Sequence, residues 1–156
     1  MTNDITHLRE TVLISADSRK QGNHPFGALL TGPDGKVLIR SGNTHAVDGG
    51  PGHAEANVAR EAARRFSPDF LARCTLYTAT EPCAMCTGTT YWAGIGKIVF
   101  GLSEKRLAEL VGDNPENLTL DLECRAVLAC GQRPVEVVGP FPELEGEIAA
   151  VHSGFW

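Results

Sequence analysis

Two segments that read as helices each open on residues able to hold a metal ion, and the openings stand thirty residues apart. The first is GHAEANVAREAARRF (52–66), with His53 and Glu55 at its start. The second is EPCAMCTGTTYWAG (81–94), with Cys83 and Cys86 in the first turn behind Pro82, a good helix opener. Cysteines three apart share a helix face, and the free N–H groups and dipole of a first turn favour thiolates. Two thiolates do not complete a zinc site, which takes three protein ligands plus water for catalysis, or four ligands for structure. His53 is the natural third ligand. The three residues meet only if both helix N-termini reach the same end of one sheet, where open α/β folds place their sites. His53 and Glu55 raise a difficulty, because positions i and i+2 do not face each other in mid-helix. At a helix end the difficulty lifts. A metal lying past the first turn is within reach of His53, and the longer Glu55 reaches the water on it.

The rest of the chain supplies such a sheet. Ile5, Leu8, Val12 and Ala16 mark an amphipathic helix over 4–20 that ends near Gly22. Two apolar runs, 27–32 and 36–42, are joined by Pro33, Asp34 and Gly35 and read as a hairpin. Residues 44–52 form a Gly-rich loop, and Ser67 and Pro68 break the helix that follows it. Strands are expected over 74–80, 97–102 and 134–140, with a polar loop at 112–119 and a helical turn or two at 122–130. Leu144, Ile148, Val151 and Phe155 space a helical stripe along the tail, 143–156. Helices alternating with strands after a hairpin imply an α/β fold with a mixed sheet covered on both faces. No linker, repeat or low-complexity stretch divides residues 1–156, which read as one domain.

Charge narrows the function classes. A net charge of −5 argues against a protein that clamps long nucleic acid with a basic face. The opening MTNDITHLRE has no apolar core of a signal peptide, and no run approaches a membrane span, so a cytoplasmic location is expected. In such a setting five cysteines, an odd number, favour metal or redox chemistry over structural disulfides. Redox use of C-x-x-C favours a position early in the chain after the first strand. Here the pair comes late. Cys74, opening a strand, reads as core. No role is read for Cys124 or Cys130.

The joint pattern H-A-E, then P-C-A-M-C, resembles the signature of zinc-dependent nucleobase and nucleoside deaminases. The likeness extends from PFGA (25–28) through Asn43, HAEANVA, TEPCAMC and YWAG to the aromatic tail, and is strongest to the guanine deaminase branch of the cytidine-deaminase-like fold. It implies a three-layer α/β/α domain with a mixed five-stranded sheet, one Zn²⁺ per subunit on His53, Cys83 and Cys86, and a homodimer. Glu55 would take a proton from the metal's water, pass it to a ring nitrogen and help ammonia leave. Glu81 either supports this electrostatically, or is a solvated charge or a helix cap.

For the substrate, the resemblance implies that Asn43 hydrogen-bonds the base, although a turn role at a strand end is as natural. Phe26 and Trp92 stack on the base or belong to the core. The backbone at Ala54 contacts it. Trp156, in a tail ending Gly-Phe-Trp, closes an active site or docks elsewhere. Glu143, Glu145 and Glu147 offer a contact to an amino group or lie in solvent. Asp113, in GDNPENL, loosely occupies the place of an acidic loop residue. The expected substrate is a free base with a 2-amino-4-oxo edge, guanine or isocytosine. Cytosine, a nucleoside and tRNA adenosine are alternatives, as is a zinc module with no catalysis. Arg60, Arg64 and Arg65 are the main basic cluster, and they lie away from the catalytic end of their helix.

Overall fold

The computed structural model describes residues 2–156. Helix α1 (Thr2–Lys20) leads into the hairpin β1 (Gly27–Thr31) and β2 (Val37–Gly42). Then come α2 (His45–Asp48), α3 (Ala54–Arg65), α4 (Pro68–Leu71), β3 (Thr75–Thr80), α5 (Ala84–Ala93) and β4 (Lys97–Leu102). The remainder is α6 (Glu104–Val111), α7 (Cys124–Ala129), β5 (Glu136–Val138) and, after a 3₁₀ turn at Pro142–Leu144, α8 (Glu145–His152).

The strands form one mixed five-stranded sheet in the order β2-β1-β3-β4-β5. Strand β1 runs antiparallel to both neighbours, while β3, β4 and β5 are parallel. Therefore β2 and β3 point the same way, and the helices that follow them, α3 and α5, start at the same end of the sheet. That is the arrangement the metal-ligand residues require.

Side chains alternate between two cores, one on each face, as the pleat demands. Ala28, Leu30, Leu76 and Ile98 join the α3 side, while Leu29, Tyr77 and Val99 join the α1 and α8 side. Both faces are covered, which explains why every position of β1 is buried. Helix α1 lies close to β1: a side chain at Gly27 would meet the Thr11 carbonyl oxygen at 2.6 Å.

Local differences from the sequence pattern have local reasons. The buried face of α1 includes Thr11, Ser15 and Ser18 beside Leu8 and Val12, whereas Ala16 is only partly covered. Thr11 and Ser15 donate to carbonyls of their own helix, at Leu8 and Thr11, so these polar groups pack without loss. The Gly-rich loop holds the turn of helix α2. Pro68 does more than end α3. It starts α4, with the Ser67 hydroxyl accepting from the Phe70 N–H. The last strand pairs only over 136–138.

Candidate active site

His53 is the N-cap of α3, and Cys83 is the N-cap of α5. Both have extended backbone, and neither side chain caps its own helix. They therefore stand just outside the helices, with side chains free to point past the ends. The sequence pattern put them one residue too far in, and Pro82 precedes the cap instead of opening the helix. Cys86 sits in the first turn of α5 and is buried.

The three donors converge. His53 Nδ1 lies 3.5 Å from Cys83 Sγ and 3.3 Å from Cys86 Sγ. Tetrahedral zinc with ordinary Zn–N and Zn–S bonds sets such donors about 3.5 Å apart, so the trio fits that ion. Contact with Cys86, with His53 adding to it against burial, holds the Cys83 thiol down to about 4, making it a ready thiolate. The contact with Cys83, and then burial, pushes Cys86 up. The bond to Cys83 raises His53 against the opposing effect of burial.

Glu55 enters from the first turn of α3 and is 3 % exposed. One of its carboxyl oxygens, Oε1, accepts from the Thr78 hydroxyl at 2.6 Å. Burial pushes the Glu55 carboxyl up, with the Thr78 hydroxyl pulling against it. A carboxyl held near its proton in this way suits general acid–base work.

Glu81 turns out to be a clamp. Its Oε1 accepts from the Glu104 N–H at 3.1 Å, and its Oε2 accepts from the Cys124 N–H at 2.8 Å. These are the first residues of α6 and α7, so one buried carboxylate caps two helices. Glu104 lines the cavity and receives a hydrogen bond from Thr119. Burial first, then the neighbouring Cys83 and Glu55 charges, push its carboxyl up to about 8.

These groups line a cavity of about 340 Å³, with His53, Glu55 and Cys83 at its floor. Its rim carries His24, His45 and Glu116, which the sequence reading did not single out. His24 Nε2 lies 3.3 Å from Glu116 Oε1, and His45 Nε2 lies 4.0 Å from the same oxygen. The two imidazoles stack, with centroids 4.1 Å apart. The Ser18 hydroxyl organises this side, donating to the His24 carbonyl and accepting from the Asn43 N–H.

Of the expected substrate contacts, only Phe26 is on the cavity wall. Asn43 is buried behind the rim, where its Oδ1 accepts from the His45 N–H at 2.8 Å, a turn role that leaves its amide nitrogen to donate. Ala54 packs into the α3-side core. Trp92 is 85 % exposed and faces away. It stands nine residues after Cys83, which on an α-helix is a rotation of about 180°. Asp113 is exposed and outside the wall, whereas Glu116, three residues on in the same loop, is on it. Trp156 packs edge-on against His24 and near Phe26, and its indole N–H donates to His152 Nδ1 at 3.1 Å. Arg19 donates to the Val151 and Ser153 carbonyls and fastens this tail to its own subunit. Glu145 and Glu147 pair outside with Arg106 and Arg9, and Glu143 is exposed. Cys74 is core, Cys124 is buried and Cys130 is exposed. No helix among the described residues is long and apolar enough to cross a membrane.

Comparison with known proteins agrees with this geometry. Residues 1–102 match the cytidine and deoxycytidylate deaminase zinc-binding region. The chain is 37 % identical to a probable cytosine deaminase of Schizosaccharomyces pombe, over 98 % of this chain and 92 % of that one. It is 31 % identical to the guanine deaminase of Bacillus subtilis, over 69 % of each. The solved guanine deaminase of Nitrosomonas europaea shares the fold, with a TM-score of 0.70 at 20 % identity, covering 93 % of this chain and 80 % of that one.

Proposed function

The chain belongs to the cytidine and deoxycytidylate deaminase family, and on that premise we propose that its substrate is a small free nucleobase bearing amino and oxo groups, as guanine and isocytosine do. The observation that carries this reading is the rim. The chain's own aromatic tail rests on His24 and Phe26, so the mouth over the metal-ligand trio suits a single base. The volume, about 340 Å³, lies at the small end of ligand pockets. Binding an RNA loop calls for basic residues near the site. The exposed cluster Arg60, Arg64 and Arg65 instead lies toward the far end of α3.

His53, Cys83 and Cys86 would hold zinc, which would supply an acidified water. Glu55 would accept a proton from water on the oxygen not engaged by Thr78, deliver it to a ring nitrogen and then assist ammonia's departure. The amine-bearing carbon gains the water oxygen and loses nitrogen. Phe26 walls the base. Glu116, an acceptor-only carboxylate on the cavity wall, suits an N–H edge of the base. Glu116 thus takes the place expected of Asp113.

The test is ammonia release from isocytosine, guanine, cytosine, their nucleosides and tRNA. Turnover of free bases, isocytosine and guanine foremost, is expected. Activity on tRNA alone would overturn the reading. Cytosine is a second reading, favoured by the near full-length likeness to a probable cytosine deaminase.

The outer face of α3 and α5 supports a homodimer. Trp92, Met85, Ala59, Ala63 and Gly88 line an apolar groove there. Sedimentation should give a mass twice 16.7 kDa. A monomer that the Trp92→Glu variant leaves unchanged would remove this face from consideration.

A further inference from the structure

The rim residues His24, His45 and Glu116 form a second group of metal-ligand type. Each offers one donor atom, and these atoms all lie within 4.8 Å of one another. They come from three separate places: the turn after α1, the start of α2 and the loop between α6 and α7. The proposed chemistry asks only the Glu116 carboxylate to meet the base, and no part of it uses the two stacked imidazoles.

We propose that His24, His45 and Glu116 form a second binding site for a divalent transition-metal ion, distinct from the His53, Cys83 and Cys86 trio. Donors on a tetrahedral ion with ordinary Zn–N and Zn–O bonds stand about 3.4 Å apart. His24 and Glu116 already meet that spacing at 3.3 Å, and His45, at 4.0 Å, needs a small inward movement. His45 is partly exposed and Glu116 belongs to a loop, so both can make it. His24 is buried and fixed, its carbonyl held by Ser18, and supplies the rigid donor. Burial also keeps its imidazole toward the neutral form that ligates metals. Two imidazoles and one carboxylate select Ni²⁺, Co²⁺, Cu²⁺ or Zn²⁺ over Mg²⁺ and Ca²⁺, which take oxygen ligands. An ion there fastens the Glu116 loop across the cavity mouth.

The test titrates untagged, zinc-loaded protein with NiCl₂ by calorimetry and measures zinc per chain in parallel. One Ni²⁺ per chain is expected beyond the zinc. His45→Ala and Glu116→Ala should each weaken it about tenfold or more, as loss of one of three ligands does, while zinc content stays at the wild-type level. Absence of Ni²⁺ binding up to millimolar concentration overturns the site, as does affinity unchanged in both variants. Neither readout requires turnover, so the proposed deamination stands or falls separately.

Discussion

At the floor of the cavity, His53 and Cys83, with Cys86 behind them, stand at helix ends whose positions the sheet fixes, whereas at the rim His24, His45 and Glu116 stand in turns and a loop. The floor repeats one device twice: a strand, a cap residue with an idle side chain, and a helix. Its donors are short, Cys86 buried and His53 and Cys83 partly so, and their spacing follows from the topology. The rim is joined by side-chain contacts from distant parts of the chain and closed by the tail. It also carries apolar exposure, with Leu118, Leu120 and Leu122 standing out from the loop. The contrast separates two tasks: the floor must hold charge in one geometry, and the rim must meet a particular ligand.

Substitutions can press on this contrast, beginning at the floor. Glu55→Gln should lower kcat about 10³-fold, the scale of a lost acid–base group, with zinc per chain unchanged by elemental analysis. Full activity in that variant would end the proposed role of Glu55. At the rim, acid should loosen the tail. Burial, and then Arg19, hold His152 down at about 4, against 6.5 when free. Its contribution is therefore fully present above about pH 6.5 and is lost as pH falls toward 4, up to about 3 kcal/mol in all. Trp156 fluorescence in a Trp92→Phe background should report this, and a signal flat from pH 7.5 to 4 would show that the tail is held otherwise.

Glu81 joins the two regions. Glu81→Gln removes the charge from two buried hydrogen bonds and leaves one acceptor oxygen, which should cost about 2 kcal/mol in urea unfolding. An unchanged midpoint would deny it the clamping role. The smallest effect belongs to Asp113→Ala, expected to shift stability by less than about 0.5 kcal/mol and to leave turnover intact, while Glu116→Ala lowers kcat/KM for the base. The reverse outcome would return the acidic role to Asp113.

The same contrast decides what could be read from the amino acids alone. H-A-E and P-C-A-M-C are legible because a zinc trio on helix ends forces ligand types into fixed short spacings. The alternation of helices and strands likewise shows the layered sheet. Rim residues have no such signature. His24 sits just before Phe26, and His45 lies two residues past Asn43, inside stretches already in view, yet a lone histidine has no period to betray it. Asp113 and Glu116 are three apart in a loop, where no repeat says which side chain points inward. Trp92 illustrates the opposite case: helical rotation from Cys83 places it on the outer face, so its distance from the cavity was available in the spacing itself.

The Glu81 clasp has one more consequence. Because a single carboxylate ties the start of α6 to the start of α7, the chain leaves and returns at nearly one point, and it does so next to Cys83. The mostly exposed stretch from 112 to 123 can lengthen, shorten or change its side chains without altering how the metal-ligand trio is spaced, while α6 stays packed on the core through Leu107. Such a hinge-point closure makes the 112–123 segment an exchangeable cassette. Transplanting that segment from a relative with a different substrate is then the economical route to redirecting this scaffold, and the same freedom would let selection diversify substrates while the chemistry stays inherited.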